Sequence, residues 1–258
     1  MSLDSTAIAA WQAGPRLPLT VFRKIPSTNG YAKTYAASHA VTTAQAFLAE
    51  EQTAGYGKRG RTFYSPPATG VYLSLLVPVA TVTPLAPGLL TTGTAVAVVT
   101  VLQRFFPAAL FHVKWVNDIL VANKKCGGIL VEQTHQAVVI GIGLNLFTPQ
   151  FPAAIQTKAG AVTEQPVDRN IVIAGLLDAL QALLPDYHTG MFLPAYRALA
   201  PMLGRPVTVQ VGETVLAGIA TAIDTAGALV VTAADGQQHV LTAGEVTKVT
   251  LPANDYKG

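Results

Sequence analysis

The segment from Gln52 to Arg61 intersperses glycines with cations, and its residue types suit chemistry better than those of any other stretch. Lys58, Arg59 and Arg61 supply one ammonium and two guanidinium groups, and the glycines among them allow backbone N–H groups to approach a ligand closely. Such a loop suits an anionic ligand that carries a phosphate or a carboxylate. A solvated basic loop and a nucleic-acid contact have the same composition, so the segment alone leaves these interpretations open.

Two polar clusters further along the chain hold the other candidates for chemistry. Asn117 and Asp118 follow an apolar run, and Lys125 precedes the pair Gly127 and Gly128. Taken alone, the Asn-Asp pair is equally an Asx turn, a lysine in a turn is more often solvated, and paired glycines are also typical of a β-bulge. These clusters indicate a functional site only when they are considered together with the basic loop.

The composition is that of an ordinary globular protein. The 258 residues include 17 basic and 14 acidic side chains, which give a formal net charge of +3. So few charges argue against a strong positive field and therefore against nucleic-acid binding. The single Cys126 excludes an internal disulfide and a cysteine-based zinc site. Without a signal-peptide pattern, and with a longest apolar stretch at 94–102 that is too short to cross a bilayer, the sequence predicts a cytoplasmic protein with no membrane partner.

The elements around the basic loop are predicted to hold it in place. Ser27-Thr28-Asn29 offers N-cap side chains before an i, i+1, i+4, i+5 pattern at residues 31, 32, 35 and 36, which predicts a helix. Residues 44–50 and 70–77 are β-type runs on either side of the loop, and residues 85–106 are typical of a long helix that Pro107 ends. The loop therefore lies between two rigid strands.

Residues 111–145 alternate short β-type runs with turn residues. Runs at 111–116, 119–121, 128–132 and 138–144 predict an antiparallel meander, and helices are predicted at 170–184 and 186–199. Short turns between neighbouring strands exclude repeated strand–helix–strand units. The sequence therefore predicts an α+β fold with a largely antiparallel mixed sheet flanked by helices, which we expect on one side of it.

Beyond Pro201 the sequence changes to short β-type runs with close turns. Runs at 206–216, 218–224, 228–233 and 238–241 predict a small β-barrel. We place the boundary near residues 201–205, with one domain at 1–202 and a second at 203–258. The second is small for independent stability, so we expect it to pack on the first.

Five segments together resemble the biotin protein ligases in order and spacing, from about residue 20 to the end of the chain. They are Ser27-Thr28-Asn29, the loop from Gln52 to Arg61 with Ser65-Pro66, Lys114-Trp115-Val116-Asn117-Asp118, Lys125 to Glu132, and Gly141-Ile142-Gly143-Leu144-Asn145. The resemblance implies a catalytic domain similar to class II aminoacyl-tRNA synthetases, followed by an SH3-like barrel. It also implies an enzyme that converts biotin and ATP, bound with Mg²⁺, to biotinyl-5′-AMP and pyrophosphate. Biotin would then pass to a lysine of the carrier domain of a biotin-dependent carboxylase.

The same resemblance implies roles for individual residues. Asp118, Lys125 and Arg59 are implied as catalytic, and Asp118 either contacts Mg²⁺ and phosphate or accepts the proton of the incoming lysine. The implied biotin pocket comprises Ser27, Thr28, Asn29, Gln52, Gly55, Lys125, Gly127 and Gly128. The implied adenylate or ATP site comprises Tyr56, Lys58, Arg59, Arg61, Phe63, Lys114, Trp115, Asn117 and Asn145. For Trp115, packing in the core is the competing interpretation.

The chain departs from the family pattern at four positions. Tyr56 and Lys58 stand where arginines are usual, Phe63 replaces a tryptophan, and Val116 replaces a proline. The two changes in the loop lose bidentate guanidinium groups, so we expect adenylate retention to be weaker or differently arranged. No winged helix precedes residue 20, so no DNA partner is expected, whereas formation of a homodimer stays open.

Two alternatives also stay open. A lipoate or octanoate protein ligase would share the fold and the adenylate chemistry, although the barrel and the segment from Lys125 to Leu130 favour biotin. A weakly catalytic relative that binds biotin and acts as a sensor would explain Tyr56 and Val116.

Overall fold

The computed structural model describes residues 2–249 and 256–257 of the chain. Its helices are α1 (Ser5–Trp11), α2 (Thr28–Ser38), α3 (Pro87–Phe105), α4 (Arg169–Leu183) and α5 (Leu193–Ala198). Its strands are β1 (Leu19–Phe22), β2 (Gln45–Ala49), β3 (Gly70–Pro78), β4 (Phe111–Lys114), β5 (Asp118–Val121), β6 (Lys124–Gln133), β7 (Ala137–Asn145), β8 (Pro206–Val211), β9 (Thr214–Ile223), β10 (Leu229–Thr232), β11 (Gln238–Leu241), β12 (Glu245–Val249) and β13 (Tyr256–Lys257). Short 3₁₀ turns lie at Lys58–Gly60, Val79–Val82 and Tyr187–Thr189.

The first seven strands form one mixed sheet in the order β1-β2-β3-β7-β6-β5-β4. β1 pairs with β2 in parallel, and the other neighbours pair antiparallel. At the centre, β3 pairs with β7 along its whole length, from Gly70 opposite Asn145 to Pro78 opposite Ala137. The predicted α+β fold with a largely antiparallel sheet is confirmed.

Helices cover both faces of this sheet. Every residue of β3 from Gly70 to Val77 is buried, because its alternate side chains point to opposite faces and both faces are packed. Leu73 and Leu75 belong to the main core with residues of α1, α3 and α4, whereas Leu76 packs with α2 in a second cluster. The expectation of helices on one side was wrong, since a strand buried throughout does not reveal which helix covers which face.

Helix α2 begins where the cap residues predict it. The backbone of Ser27 is extended, and its hydroxyl accepts a hydrogen bond from the Gly30 N–H at 3.3 Å. Ala32 and Ala36 are buried against the sheet, as the spacing of the apolar residues predicts. The N-terminus of α2 thereby lies beside Gln52, at the start of the basic loop.

Two parts of the chain differ from the prediction. The helix expected at 186–199 is a 3₁₀ turn and the short α5, separated at Gly190, which takes a left-handed φ of 68°. The elements α1, β1 and β12 were not predicted. They are only four to seven residues long, which is too short for a clear periodic pattern.

Strands β8 to β13 form the second, SH3-like sheet in the order β11-β10-β9-β8-β12-β13. Val209 and Leu229 are buried in it and belong to the same continuous core cluster as the first sheet. Arg197 on α5 donates its Nε–H to the carbonyl of Ile223 at 2.9 Å, which adds a polar contact between the two parts. The boundary between the predicted domains stays a prediction, and residues 250–255 and 258 of the second domain lie outside the described residues.

Within the described ranges, one helix is long and apolar enough to match a membrane span. This helix is α3, whose apolar window has a mean hydropathy of 1.3 and is 61% buried inside the fold. It packs against α4, β4, β5 and β6. It is therefore the core helix that the sequence predicts at 85–106.

Candidate active site

A cavity of 530 Å³ opens on the α2 side of the first sheet, under the loop that follows β2. Its walls come from the N-terminus of α2, the loop, the β4–β5 turn, β6, β7 and the start of β12. The structure brings most of the predicted site residues together in these walls. They are Ser27, Thr28, Asn29, Gln52, Tyr56, Lys58, Arg59, Arg61, Phe63, Lys114, Trp115, Asn117, Asp118, Lys125, Gly128 and Asn145.

Gly55 and Gly127, which were predicted to contact biotin, are not part of the cavity wall. A Cβ atom on Gly55 would stand 2.7 Å from Ser65 Oγ, so the loop can fold back on itself only with glycine at this position. A Cβ atom on Gly127 would stand 2.9 Å from the carbonyl oxygen of Gly143. Since Gly128 lines the cavity, Gly127 faces the other side of β6. Both glycines permit close packing of the site without lining it.

The floor of the cavity consists of alternate residues of two central strands. Gly141, Gly143 and Asn145 share one face of β7, and Gly128 lies opposite Gly143 on β6. A Cβ atom on Gly143 would stand 2.6 Å from the ring of Phe63. The aromatic ring therefore reaches the floor only because this position has no side chain.

Asp118 lies between two lysines in the cavity wall. Its Oδ1 is 2.6 Å from Lys125 Nζ and its Oδ2 is 3.0 Å from Lys114 Nζ. The side chain of Lys114 is 4% exposed and that of Lys125 is 35% exposed, so Lys125 has surface left for a ligand. Burial alone would raise the pKa of Asp118, but the two ammonium groups hold it below its ordinary value. The carboxyl group is therefore ionised at neutral pH.

The basic loop is a short hairpin over the cavity. Tyr56 pairs with Thr62 as an isolated antiparallel bridge, and the Gly57 N–H donates to the carbonyl of Arg61 at 2.8 Å. At the tip, Arg59 is exposed and takes a left-handed φ of 60°. Its guanidinium group is therefore available at the rim of the cavity.

The loop also contacts the second sheet, which the sequence did not predict. Lys58 Nζ donates to the carbonyl of Gly244 at 3.2 Å, and the guanidinium group of Arg61 pairs with the carboxylate of Glu245. Burial lowers the pKa of Lys58, and the nearby Arg59 lowers it further. Hydrogen bonds from Arg61 hold the pKa of Glu245 below its ordinary value. The start of β12 thus forms part of the cavity mouth.

A hydrogen-bonded group joins the N-terminus of α2 to the base of the loop. The Thr28 N–H donates to Gln52 Oε1 at 2.8 Å, and Gln52 Nε2 donates to Ser65 Oγ at 3.0 Å. Thr28 and Gln52 also line the cavity. The residues that satisfy the N-terminus of α2 are therefore also predicted biotin contacts.

The predicted adenylate residues differ in what their polar groups already contact. Asn145 is buried, and its Oδ1 has no hydrogen-bond partner among the described residues. Asn117 donates its side-chain N–H to the Ile129 carbonyl at 3.1 Å, which ties the β4–β5 turn to β6. Trp115 is 1% exposed and donates its indole N–H to the Gly227 carbonyl at 3.0 Å. Trp115 therefore packs in the core, as the competing interpretation held, and it also contributes to the cavity wall.

Several residues of the site were not predicted from the sequence. Glu132, Lys33 and Ser74 form contacts with predicted site residues, and a turn after β7 supplies Ala154, Ile155 and Lys158 to the wall. For Glu132 a signal existed, because it lies four residues after Gly128 on the same face of β6. The turn after β7 has no comparable pattern.

Two family models match the chain. The model of the biotin/lipoate A/B protein ligase family matches residues 21–145, and the model of the biotin protein ligase C-terminal domain matches residues 202–249. A biotin–[acetyl-CoA-carboxylase] ligase from Mycobacterium tuberculosis is 32% identical over 236 residues, which are 88% of this chain and 88% of that protein. The chain belongs to the biotin protein ligase family.

Other relatives in this family differ in length. The bifunctional ligase/repressor BirA of Escherichia coli is 32% identical over 71% of this chain, but the match spans only 60% of that protein. A biotin protein ligase from Aquifex aeolicus, solved in complex with biotin and ATP, has the same fold, with a TM-score of 0.76 and 24% identity. That match covers 88% of this chain and 97% of the Aquifex chain. The biotin protein ligase fold therefore includes both sheets described above.

Proposed function

We propose that this chain is an ATP-dependent biotin protein ligase that acts in two steps. In the first, a biotin carboxylate oxygen attacks the α-phosphorus of ATP, a mixed anhydride forms, and the bond to the β-phosphate breaks to release pyrophosphate. In the second, a lysine amine attacks the acyl carbon, an amide forms, and AMP and a proton leave. The observation that carries the proposal is the Asp118–Lys125 pair inside a cavity that the basic loop covers.

Lys125 is proposed to bind the carboxylate of biotin. Its ammonium group is partly exposed in the cavity, whereas Lys114 is buried against Asp118. A cation beside two anionic reactants lowers their mutual repulsion and orients the attacking oxygen. Lys114 then balances the negative charge of Asp118 while Lys125 binds the carboxylate of the substrate.

Asp118 is proposed to hold cations rather than to remove a proton. With a pKa below the ordinary carboxyl value, it is a weak base toward the amine of an incoming lysine. It is well placed to keep Lys125 oriented in the first step and to attract the ammonium group of the acceptor in the second. Of the two roles that the family resemblance left open, the lowered pKa argues against the proton acceptor.

The hairpin of the basic loop is proposed to retain the adenylate. Arg59 at the rim and Lys58 beneath it can neutralise phosphate charge, and Phe63 supplies an apolar wall. Covering the mixed anhydride protects it from water. Asn145 has a buried carbonyl oxygen without a hydrogen-bond partner among the described residues, so it is suited to accept a hydrogen bond from the bound nucleotide.

ATP is proposed to bind with Mg²⁺ as its counter-ion. Among the residues that the structure describes, no three or more His, Cys, Asp or Glu side chains lie close enough together to hold a metal ion. Both oxygens of Asp118 are engaged by lysines, so a direct contact between Asp118 and Mg²⁺ would have to displace one of them. The described residues therefore do not fit a protein-held Mg²⁺ site, and the metal is proposed to enter with the nucleotide.

The acceptor is proposed to be the biotin carboxyl carrier domain of a carboxylase, since the named relatives are biotin–[acetyl-CoA-carboxylase] ligases. Such an acceptor, together with the absence of a disulfide-forming pair in the sequence, is consistent with a cytoplasmic location. The lack of a DNA partner stays a prediction, and formation of a homodimer stays open.

The proposal is tested by ATP–pyrophosphate exchange with purified protein. Exchange that depends on biotin, and not on lipoate or octanoate, is the expected result. Exchange with octanoate or lipoate alone would identify the other branch of the matched family. Biotin binding without exchange would instead favour a sensor.

A further inference from the structure

A second charged cluster, separate from the one around Asp118, centres on Glu132. Its Oε1 is 2.6 Å from Lys33 Nζ, and its Oε2 accepts hydrogen bonds from Asn29 Nδ2 and from the Tyr56 hydroxyl, each at 2.9 Å. Lys33 Nζ also lies 5.2 Å from the centre of the Tyr56 ring. One carboxylate on β6 therefore joins α2 to the basic loop.

The cluster continues across the biotin pocket through side chains. Ser74 Oγ lies 2.5 Å from Asn29 Oδ1 and 2.8 Å from Thr28 Oγ1, and Thr28 Oγ1 donates to Gln52 Oε1 at 3.1 Å. Starting from Tyr56, the chain of contacts thus reaches Gln52 at the base of the same loop. These contacts therefore connect Tyr56 and Gln52, which belong to the same loop, through the wall of the pocket.

The hydrogen bonds to Glu132 are charge-assisted and therefore stronger than hydrogen bonds between neutral groups. Its side chain is 23% exposed, and each of the three donors bonds to a charged acceptor. Burial alone would raise the pKa of Glu132, but hydrogen bonds from Lys33, Asn29 and Tyr56 hold it below its ordinary value. The carboxylate is therefore a fixed acceptor at neutral pH.

Tyr56 is the residue through which this cluster acts on the loop. It stands between Gly55 and Gly57, which have no side chains with which to hold the backbone. Its hydroxyl is bonded to Glu132, so it does not point a free donor at the nucleotide. The tyrosine that replaces the usual arginine thus anchors the glycine segment to the first sheet.

We infer that Glu132 is a positioning residue of the acyl-donor site, which sets the loop through Tyr56 and the pocket wall through Asn29. The inference rests on the proposed function, because what the loop covers is the proposed biotinyl-adenylate. Loss of the contact releases the loop and lets water or ligand pass more easily. The acid and the adenylate are then held less tightly, while the reacting groups at Asp118 are unchanged.

Three variants isolate the contact. Tyr56→Phe removes one hydroxyl and keeps the ring, and Glu132→Gln keeps the shape and removes the charge. The double variant closes a thermodynamic cycle. Glu51→Gln is the matched control, because the Glu51 side chain is 27% exposed and also pairs with a lysine, Lys24 at 2.9 Å, which is not part of the cluster.

Each variant is assayed for the biotin dissociation constant and for the lifetime of the bound adenylate. In Tyr56→Phe and Glu132→Gln we expect the adenylate lifetime to shorten and biotin affinity to fall, each by about tenfold. The double variant should be no worse than Glu132→Gln alone, and Glu51→Gln should match the parent. Additive losses in the double variant, or a lower melting temperature with unchanged affinity and lifetime, would overturn the inference.

A ligand-free measurement separates this inference from the proposed function. Hydrogen exchange of the Gly57 and Phe63 amides, which are bonded within the hairpin, reports how firmly the loop is held. We expect exchange about tenfold faster in Tyr56→Phe than in the parent. Unchanged exchange would overturn the inference even in an active parent. A parent that binds no biotin would defeat the proposed function, and faster exchange would still support the anchoring role.

Discussion

The side chains in this cavity are proposed to have different roles, and their burial is the basis on which we assign each role. Lys114 is buried and pairs with Asp118, whereas Lys125 pairs with the same carboxylate and keeps surface for a ligand. Trp115 donates its indole N–H to the Gly227 carbonyl, and its ring is too buried to stack on a ligand. The sequence predicted that these residues lie together, but not which polar atoms remain unpaired, because that depends on contacts between distant segments.

Replacing Lys125 tests the division of tasks directly. In Lys125→Ala we expect biotin affinity to fall by a factor of about 10–100, since a hydrogen bond to a charged group contributes about 1.5–3 kcal/mol. ATP affinity should change far less. Isothermal titration with each ligand measures both, and Lys124→Ala, at the exposed neighbouring position, is the control. Equal, small losses for both ligands would contradict the assignment.

Acidification tests the state of Asp118. Its pKa is lowered in the folded protein, so its ionised form stabilises the fold above the unfolded-state pKa of about 3.9. This contribution is lost as pH falls through the lower, folded-state value. We expect the free energy of unfolding to drop below about pH 4 in the parent, and to drop less steeply in Asp118→Asn. Urea unfolding at several pH values measures the free energy of unfolding of both proteins. The same dependence on pH in the parent and in Asp118→Asn would contradict the prediction.

At the scale of elements, the site depends on small residues that let strands, helix and loop approach one another. The sequence predicted the helix α2, the strands on either side of the loop and the order of the meander. It did not predict β12 or the turn after β7, which complete the cavity wall. Neither segment has a long periodic pattern, and their position is set by packing between distant parts of the chain.

The floor of the cavity provides a test at this scale. Gly143→Ala would place a methyl group 2.6 Å from the Phe63 ring, so the ring must shift from its position in the cavity wall. We expect a loss of stability of about 1–3 kcal/mol and weaker adenylate retention. Gly30→Ala, whose Cβ would meet Ser27 at an ordinary 3.5 Å, is the matched control. Urea unfolding and adenylate lifetime report the result, and a Gly143 variant that behaves like the Gly30 variant would refute the close packing.

The strand that leads into the loop is anchored by a buried ion pair. Nη2 of Arg169, at the start of α4, is 2.5 Å from Oε2 of Glu50, which directly follows β2, and Arg169 Nη1 donates to the Gly70 carbonyl at 3.2 Å. In Arg169→Met the carboxylate stays buried without this partner, so we expect a loss of about 3–5 kcal/mol in the free energy of unfolding. The double variant Arg169→Met/Glu50→Gln should recover part of that loss. A single variant as stable as the parent would show that the pair is unimportant.

At the scale of the whole molecule, the two sheets share one hydrophobic core and one cavity. Val209 and Leu229 of the second sheet belong to the same cluster as the core of the first. The mouth of the cavity uses Gly244 and Glu245 from that second sheet. The sequence predicted that the small unit packs on the large one, but not that it contributes to the site.

This shared core predicts cooperative unfolding. We expect one thermal transition by calorimetry, with the calorimetric and van't Hoff enthalpies equal, because neither sheet keeps its buried surface without the other. Two resolved transitions would show that the second sheet unfolds alone.

The most direct test of the central claim combines purified protein, biotin and ATP with Mg²⁺, followed by mass spectrometry of the small molecules. The account predicts biotinyl-5′-AMP and pyrophosphate, formed only when both substrates are present and formed more slowly in Lys125→Ala at the same biotin concentration. Folded protein that binds biotin and forms no adenylate would contradict the account.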